Sequence, residues 1–154
     1  MIRMKTKISD IERICKKISE IYTECIVEEF IEWAKADDEY LRNNDGFNDQ
    51  TGNLRSSLGA AVYNDGQMVF STPFSKVLNG AKGSATGKAF VESIAPSTSG
   101  RIVKVLVAAM PYAQSVEDID SKDVLESRRI QNEREAVKIL ERAARKAEQQ
   151  ISRL

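Results

Sequence analysis

The sequence predicts an α+β fold: a mainly antiparallel sheet of about four strands, flanked by long amphipathic helices at the N and C termini. Three observations carry that expectation. Apolar residues recur at alternating spacings of four and three at both ends of the chain, two short runs meet across a glycine turn in the middle, and a single β-branched run follows. With 154 residues the chain is long enough for one proper core and is read as a single domain, residues 1–154.

The first helix is expected over about residues 5–42. Met4, Ile8, Ile11, Cys15, Ile18, Tyr22 and Cys25 fall on one stripe, which then shifts register to Ile26, Phe30 and Trp33. Ser9 and Glu12 fit a capping box. The acids Glu28, Glu29 and Glu32 are placed on the outer face, and a stripe of this width suits a helix packed on a sheet. Asn43-Asn44-Asp45-Gly46 is turn chemistry and ends the helix.

A helix feeding a hairpin is expected over 51–71. Thr51 suits an N-cap, Leu54 and Leu58 lie one helical turn apart, and Gly59 stands where a short helix stops. Ala60 to Tyr63 then meets Gln67 to Ser71 across a three-residue connection, Asn64-Asp65-Gly66. The glycine-rich stretch 72–88 is read as a mobile loop, and Ala89 to Ile94 as a short helix halted before Pro96. Residues 101–109 carry Ile102, Val103, Val105, Leu106 and Val107, apolar on both faces, which predicts the central strand of the sheet. Pro111 opens a helix over Tyr112 to Glu117 with Tyr112 and Val116 on one face, Asp118 to Ser121 turns, and Lys122 to Glu126 supplies a further strand. The last helix is expected over about 130–153, with Val137, Leu140, Ala144, Ala147, Ile151 and Leu154 on its apolar stripe.

Charge and composition exclude several classes. Twenty-three basic residues balance twenty-three acidic ones, so nothing in the overall charge draws the chain to nucleic acid or an anionic membrane. The balance is local as well as global: Glu28 to Asp49 holds eight acids against two bases, and Arg128 to Arg153 eight bases against four acids. Such runs suit solvated helix faces, or head-to-tail contact between copies. Cys15 and Cys25 lie about 15 Å apart on one helix, too far for a disulfide, and read as small buried residues in a reducing compartment. No apolar run approaches the roughly 18 residues of a membrane span, and no leading signal segment is evident, so a soluble cytoplasmic protein is expected.

Reactive constellations are sparse. The chain has no histidine, which excludes Ser-His-Asp triads, and neither an enzymatic role nor a cofactor is expected. Gly83-Ser84-Ala85-Thr86-Gly87-Lys88-Ala89 approaches the phosphate-binding pattern GxxxxGK[ST]. It has one residue too few between the glycines, and Ala89 replaces the magnesium-binding hydroxyl. Glu117, Asp118, Asp120 and Asp123 lack the glycine and distal glutamate of an EF-hand and read as solvated turn acids, so no metal is expected. The basic residues of the last helix are interleaved with Glu133, Glu135, Glu141 and Glu148 and read as a solvated face.

Two stretches nevertheless point to a family. Thr51-Gly52-Asn53-Leu54-Arg55-Ser56-Ser57-Leu58 followed by a hairpin, and Ala108-Ala109-Met110-Pro111-Tyr112-Ala113 leading through Val116-Glu117 to Asp123-Val124-Leu125, resemble the tail-completion or neck proteins of long-tailed bacteriophages. That family of head-tail joining and minor tail proteins shows a "TGxLrxS" element and, after its main strand, an "xYAxxVE" element in the same order. The residues matched are Thr51, Gly52, Leu54, Arg55, Ser57, Tyr112, Ala113, Val116 and Glu117; the terminal helices agree only in type. Asp118-Ile119-Asp120 stands where the family often has a glycine. Read from the residues, Thr51 caps, Leu54 and Leu58 bury an edge, Tyr112, Ala113 and Val116 pack on the main strand, and Glu117 accepts from Arg55 or a backbone N–H.

The resemblance implies a non-enzymatic virion protein of a phage or prophage, forming a ring of its own copies between head connector and tail tube. Its partners would be sister copies and other connector and tail proteins, with no membrane and with nucleic acid only as the content of a DNA channel. It would occupy the host bacterial cytoplasm during assembly and then the virion neck or tail. Copies would meet through the first helix, the hairpin and the 72–88 loop. The alternatives are a nucleic-acid-binding module using the last helix and a nucleotide-handling protein using Gly83 to Lys88.

Overall fold

The computed structural model describes residues 7–119 and 122–154, so Met4 of the expected stripe and Asp120 and Ser121 of the expected turn lie outside the described residues. The described residues form a mixed helix-and-sheet structure with five helices and a three-stranded antiparallel sheet. In chain order these are α1 (Ile8–Asn43), α2 (Asn53–Ser56), β1 (Leu58–Asn64), β2 (Gln67–Ser71), α3 (Ala81–Ser93), a 3-10 turn (Ala95–Thr98), β3 (Ile102–Ala108), α4 (Ala113–Glu117) and α5 (Glu126–Ile151).

The sheet runs β2-β1-β3, which puts β1 at the centre and corrects the expectation that 101–109 forms the central strand. β1 pairs along its whole length with β3, from Leu58 opposite Ala108 to Asn64 opposite Ile102. The β-branched run is apolar on both faces because helices cover both faces. Val103, Val105 and Val107 pack with Tyr63, Phe74 and Val91 on the α3 side, while Leu106 packs into the cluster of Leu41, Leu54 and Leu58. Two-sided burial reports the layers, and it does not distinguish a middle strand from an edge.

The hairpin turns on two residues rather than three. Asp65 at φ 50° and Gly66 at φ 80° are both left-handed, as the tight turn matching strand twist requires, and Asn64 pairs directly with Gln67. The β1–β2 register slips between Val62 and Tyr63, leaving Val69 as a bulge residue on the edge.

Residues 72–88 are not one loop. Only Thr72 to Gly80 is irregular, and α3 already begins at Ala81, extending the expected short helix backwards by two turns. Gly83 and Gly87 look like turn residues in sequence but are contact points within this helix. A Cβ on Gly83 would lie 1.9 Å from the Asn53 carbonyl oxygen, and one on Gly87 2.4 Å from the Phe74 ring. The irregular part is held too: the Ser56 Oγ accepts from the Val77 N–H at 2.8 Å, and Ser84 Oγ donates to the Phe74 carbonyl at 2.6 Å.

The expected fourth strand, Lys122 to Glu126, is irregular up to Leu125 and then enters α5. Its N–H groups have other partners. Asp123 N–H donates to the Gly46 carbonyl at 3.0 Å, and those of Val124 and Leu125 go to the Glu117 carboxylate.

The two long helices pack on each other and differ in detail from their predicted stripes. α1 starts after Lys7 with no side-chain cap, so Ser9 and Glu12 form no capping box. Its C-terminal half lies on the sheet, with Ala34 against Ala60 and Val62, while Ile21 and Cys25 meet Ala147 of α5. Ile8, Ile11 and Cys15 are exposed, so only one of the two cysteines is buried. In α5 the buried positions are Arg128, Asn132, Ile139, Ala143 and Ala147. Of the predicted stripe only Ala147 is among them, and Val137, Leu140 and Leu154 face solvent. Alanines bring the helix axes close, and the upper contact is polar, so hydrophobicity alone misplaced the seam.

No helix among the described residues is long and apolar enough to cross a membrane.

Candidate functional site

The two motifs converge on one core. Leu54 from the first motif and Ala113 from the second are buried together with Leu41, Phe47, Leu58, Met110 and Val124, and Val116 packs against them. The link is continuous in the backbone, since the Ala109 N–H donates to the Ser57 carbonyl at 3.3 Å.

The polar motif residues are engaged mainly with backbone. Thr51 is exposed and its Oγ1 accepts from the Asn53 N–H at 3.3 Å, but it is not the cap of α2. That position belongs to Gly52 at φ 79°, where a side chain is excluded because a Cβ would stand 1.9 Å from the Val77 carbonyl oxygen. The free N–H groups are taken instead by Asp49, whose carboxylate accepts from Gly52 at 3.0 Å and Arg55 at 2.7 Å. Aspartate is as good an acceptor as threonine here and reaches across the turn. Gly59, expected to stop the helix, is already inside β1; the helix ends at Ser56.

Arg55 clamps the turn that follows α1, donating to the carbonyls of Asn44 at 2.5 Å and Phe47 at 3.2 Å with its guanidinium 4.6 Å from the Phe47 ring centre. The fully buried Ser57 donates its hydroxyl to the Leu54 carbonyl at 2.7 Å. Glu117 meets backbone N–H groups rather than Arg55: Val124 at 2.8 Å, Leu125 at 2.9 Å and Glu126 at 3.2 Å. It therefore satisfies the free N–H groups that open α5 and favours the positive end of that helix. Glu117→Ala is expected to lower stability by about 1–2 kcal/mol, read by urea denaturation, with Glu117→Gln recovering part of the loss.

Tyr112, like Thr51, is a motif side chain that stays exposed, at 40%. Its pKa is raised, first by partial burial and then by the Asp49 carboxylate, with the Thr51 hydroxyl also beside it, so the two motifs meet on the surface as well as in the core.

A second constellation is absent from the sequence reading. Asp37 of α1 is fully buried and accepts from Arg128 Nε of α5 at 2.7 Å, from Asn132 Nδ2 at 3.0 Å and from the Lys104 ammonium of β3. Trp33 closes the group: its Nε1–H donates to Asn132 Oδ1 at 3.0 Å, and the Lys104 ammonium sits 3.9 Å from the centre of its ring. Burial, followed by the nearby Arg128 charge, pulls the Lys104 pKa below its usual value, against the pull of Asp37. One carboxylate thus ties together α1, β3 and α5. The available signal was the four-residue spacing of Trp33, Asp37 and Leu41 on the inner face of the helix.

About two helical turns before Asp37, Glu29 is buried rather than on the outer face. It accepts from Arg142 at 2.7 Å and from the Lys146 ammonium. The acidic and basic runs therefore meet, in part, inside one chain. Burial alone would raise the Glu29 pKa, but the hydrogen bonds from Lys146 and Arg142 outweigh it and hold the carboxyl below its usual value of 4.5. Its contribution to stability is full above that unfolded value and is lost as pH falls through the lower folded one. Comparing acid titrations of wild type and Glu29→Gln, followed by circular dichroism, should show the wild type losing this advantage below about pH 4.5.

Other constellations have structural partners. The Gly83 to Lys88 stretch is helical, and the Gly83 N–H donates to Asn53 Oδ1 at 3.0 Å, so it makes no open phosphate cradle. No group of three potential metal-ligating side chains occurs among the described residues.

Compared with protein-family models, with curated proteins and with solved structures, the chain shows no match.

Proposed function

We propose that the chain is a structural virion protein of a long-tailed phage or prophage, of the tail-completion or neck type, which joins the head connector to the tail during assembly. One observation carries the reading. The two motifs that resemble this family, 61 positions apart between Thr51 and Tyr112, fold into a single unit whose polar side chains are engaged chiefly in holding backbone. Arg55, Ser57 and Glu117 each fix a turn or helix end, and Leu54, Ala113 and Val116 fill the core beneath. Residues engaged in this way hold a shape, and a shape is what a ring subunit supplies.

In this reading the protein is not an enzyme and carries no cofactor. It assembles in the host cytoplasm as a ring of copies, meets connector and tail proteins, and faces nucleic acid only where the ring lines a DNA channel. The nucleic-acid module is less well supported, because Arg128, Arg129, Arg142 and Lys146 of the last helix are already paired with Asp37, Glu126, Glu133 or Glu29. The nucleotide-handling alternative is weakened by the helical conformation of Gly83 to Lys88. Gold-labelled antibody to the chain, imaged on purified particles, should mark the head–tail junction. Label confined to the tail tip, or absent from particles, would contradict the proposal.

A further inference from the structure

The helical layer is wider than the sheet beneath it. α1 lies over β1 and β3, whereas α5 packs chiefly on α1 and reaches beyond it over the margin of β3. On the free side of β3 this leaves a cleft of about 320 Å³ between Phe30 and Trp33 of α1, Lys104 and Leu106 of β3, and Arg129, Asn132, Glu133 and Ala136 of α5. The space lies where a fourth strand would run.

Among the described residues no strand pairs with β3 on that side. The Arg101 carbonyl accepts from Asp65 and the Ala109 N–H donates to Ser57, so odd positions of the strand face β1. Hydrogen-bonding direction alternates along an antiparallel strand, so the backbone groups of Lys104 and Leu106 point the other way, into the open. Two of the usual protections of an edge are missing on this side, since β3 has no proline and pairs with β1 without a bulge; its one charge, Lys104, points inward onto Asp37, and α5 overhangs the edge without pairing with it.

The opposite edge has the complementary deficit. β2 packs on β1 and the 3-10 turn, with Phe70 against the margin of α1, so β2 is a strand with little helical cover. Its sequence, Gln-Met-Val-Phe-Ser, carries no charge, and Met68 and Val69 are exposed. The cleft asks for such an occupant. Lys104 is paired with Asp37, and Arg129 at the rim with Glu126 and Glu133, so no charge there is left without a partner. The geometry points to strand addition between copies: β2 of one chain occupies the place beside β3 of the next, under α5, and the sheets join edge to edge. The bulge at Val69 limits the ladder to a few bonds, so the apolar cleft supplies much of the affinity. Because the two edges differ, the contact is heterologous and propagates into a ring or filament. This inference rests on the ring reading only for closure.

The test uses the full chain and two variants that each block one edge. Ala136→Trp fills the cleft, and Val69→Lys places a charge on β2. Wild type in native mass spectrometry and light scattering should form oligomers whose size grows with concentration. Each variant alone should be monomeric over the same range, and their equimolar mixture should form dimers, because one competent β3 edge and one competent β2 edge remain. Hydrogen exchange at the Leu106 amide should slow at least tenfold between dilute monomer and oligomer, a readout that survives if a variant proves unstable. A wild type that stays monomeric, variants that still oligomerise, a mixture without dimers, or unchanged exchange at Leu106 would overturn edge pairing. Any of these results would leave the neck role to be judged by particle labelling, so the two ideas fail separately.

Discussion

Asp37→Ala is expected to cost about 3–5 kcal/mol of folding stability, the largest effect of any single side chain outside the apolar core. The substitution leaves Lys104 and Arg128 buried without their shared carboxylate, each with a side chain only 6% exposed. Two unpaired cations would then face each other in a low-dielectric space, where their repulsion adds to the desolvation of each. Asn132 would also lose an acceptor and keep only the indole of Trp33. Urea denaturation of wild type and variant, with equal slopes, gives the difference; a loss below about 1 kcal/mol would mean that water reaches the pair and screens it. Replacing Asp37, Lys104 and Arg128 together with apolar residues of similar size should recover most of the loss, because an intact buried network contributes less than a broken one costs.

Leu54→Ala is expected to cost about 2–5 kcal/mol, whereas Thr51→Ala three residues earlier should stay within about 0.5 kcal/mol. Both residues belong to the same short motif, yet only one is buried. Leu54 fills the space between Leu41, Phe47 and Met110, and removing three of its carbons opens a cavity that rigid neighbours on α1, β1 and α4 cannot close. Thr51 makes one long hydrogen bond at the surface, and Asp49 already holds the turn. Thermal melts of the two variants separate these cases. If Thr51→Ala matched Leu54→Ala, the division of the motif into one core residue and one surface residue would be wrong.

The parts of this fold legible in the sequence are those set by local pattern. Two long helices follow from three-four spacing, the hairpin from Asp65-Gly66, and β3 from its β-branched run. What was illegible depends on partners distant along the chain. Glycines at 83 and 87 have the composition of a loop and the function of a close contact, and only the positions of Asn53 and Phe74 distinguish the two. The fourth strand failed because Glu117 takes the N–H groups of Val124 and Leu125, and no local pattern records where a side chain seven residues back will reach. The inner face of α5 was misread for a similar reason. Arg128 and Asn132 are buried on account of one aspartate on another helix, which reverses what their polarity suggests. Of the motif residues, Leu54, Ala113 and Val116 were placed correctly in or against the core, whereas Tyr112, expected to pack beside them, is exposed, and the capping role expected of Thr51 is carried by Asp49.

The most direct test of the assembly role is to delete the gene from the parent phage or prophage and count particles by electron microscopy. The expected result is DNA-filled heads and finished tails in normal numbers but unjoined, restored to whole virions by the wild-type gene supplied from a plasmid. Joined, infectious particles at wild-type yield from the deletion strain would contradict the role proposed for this protein.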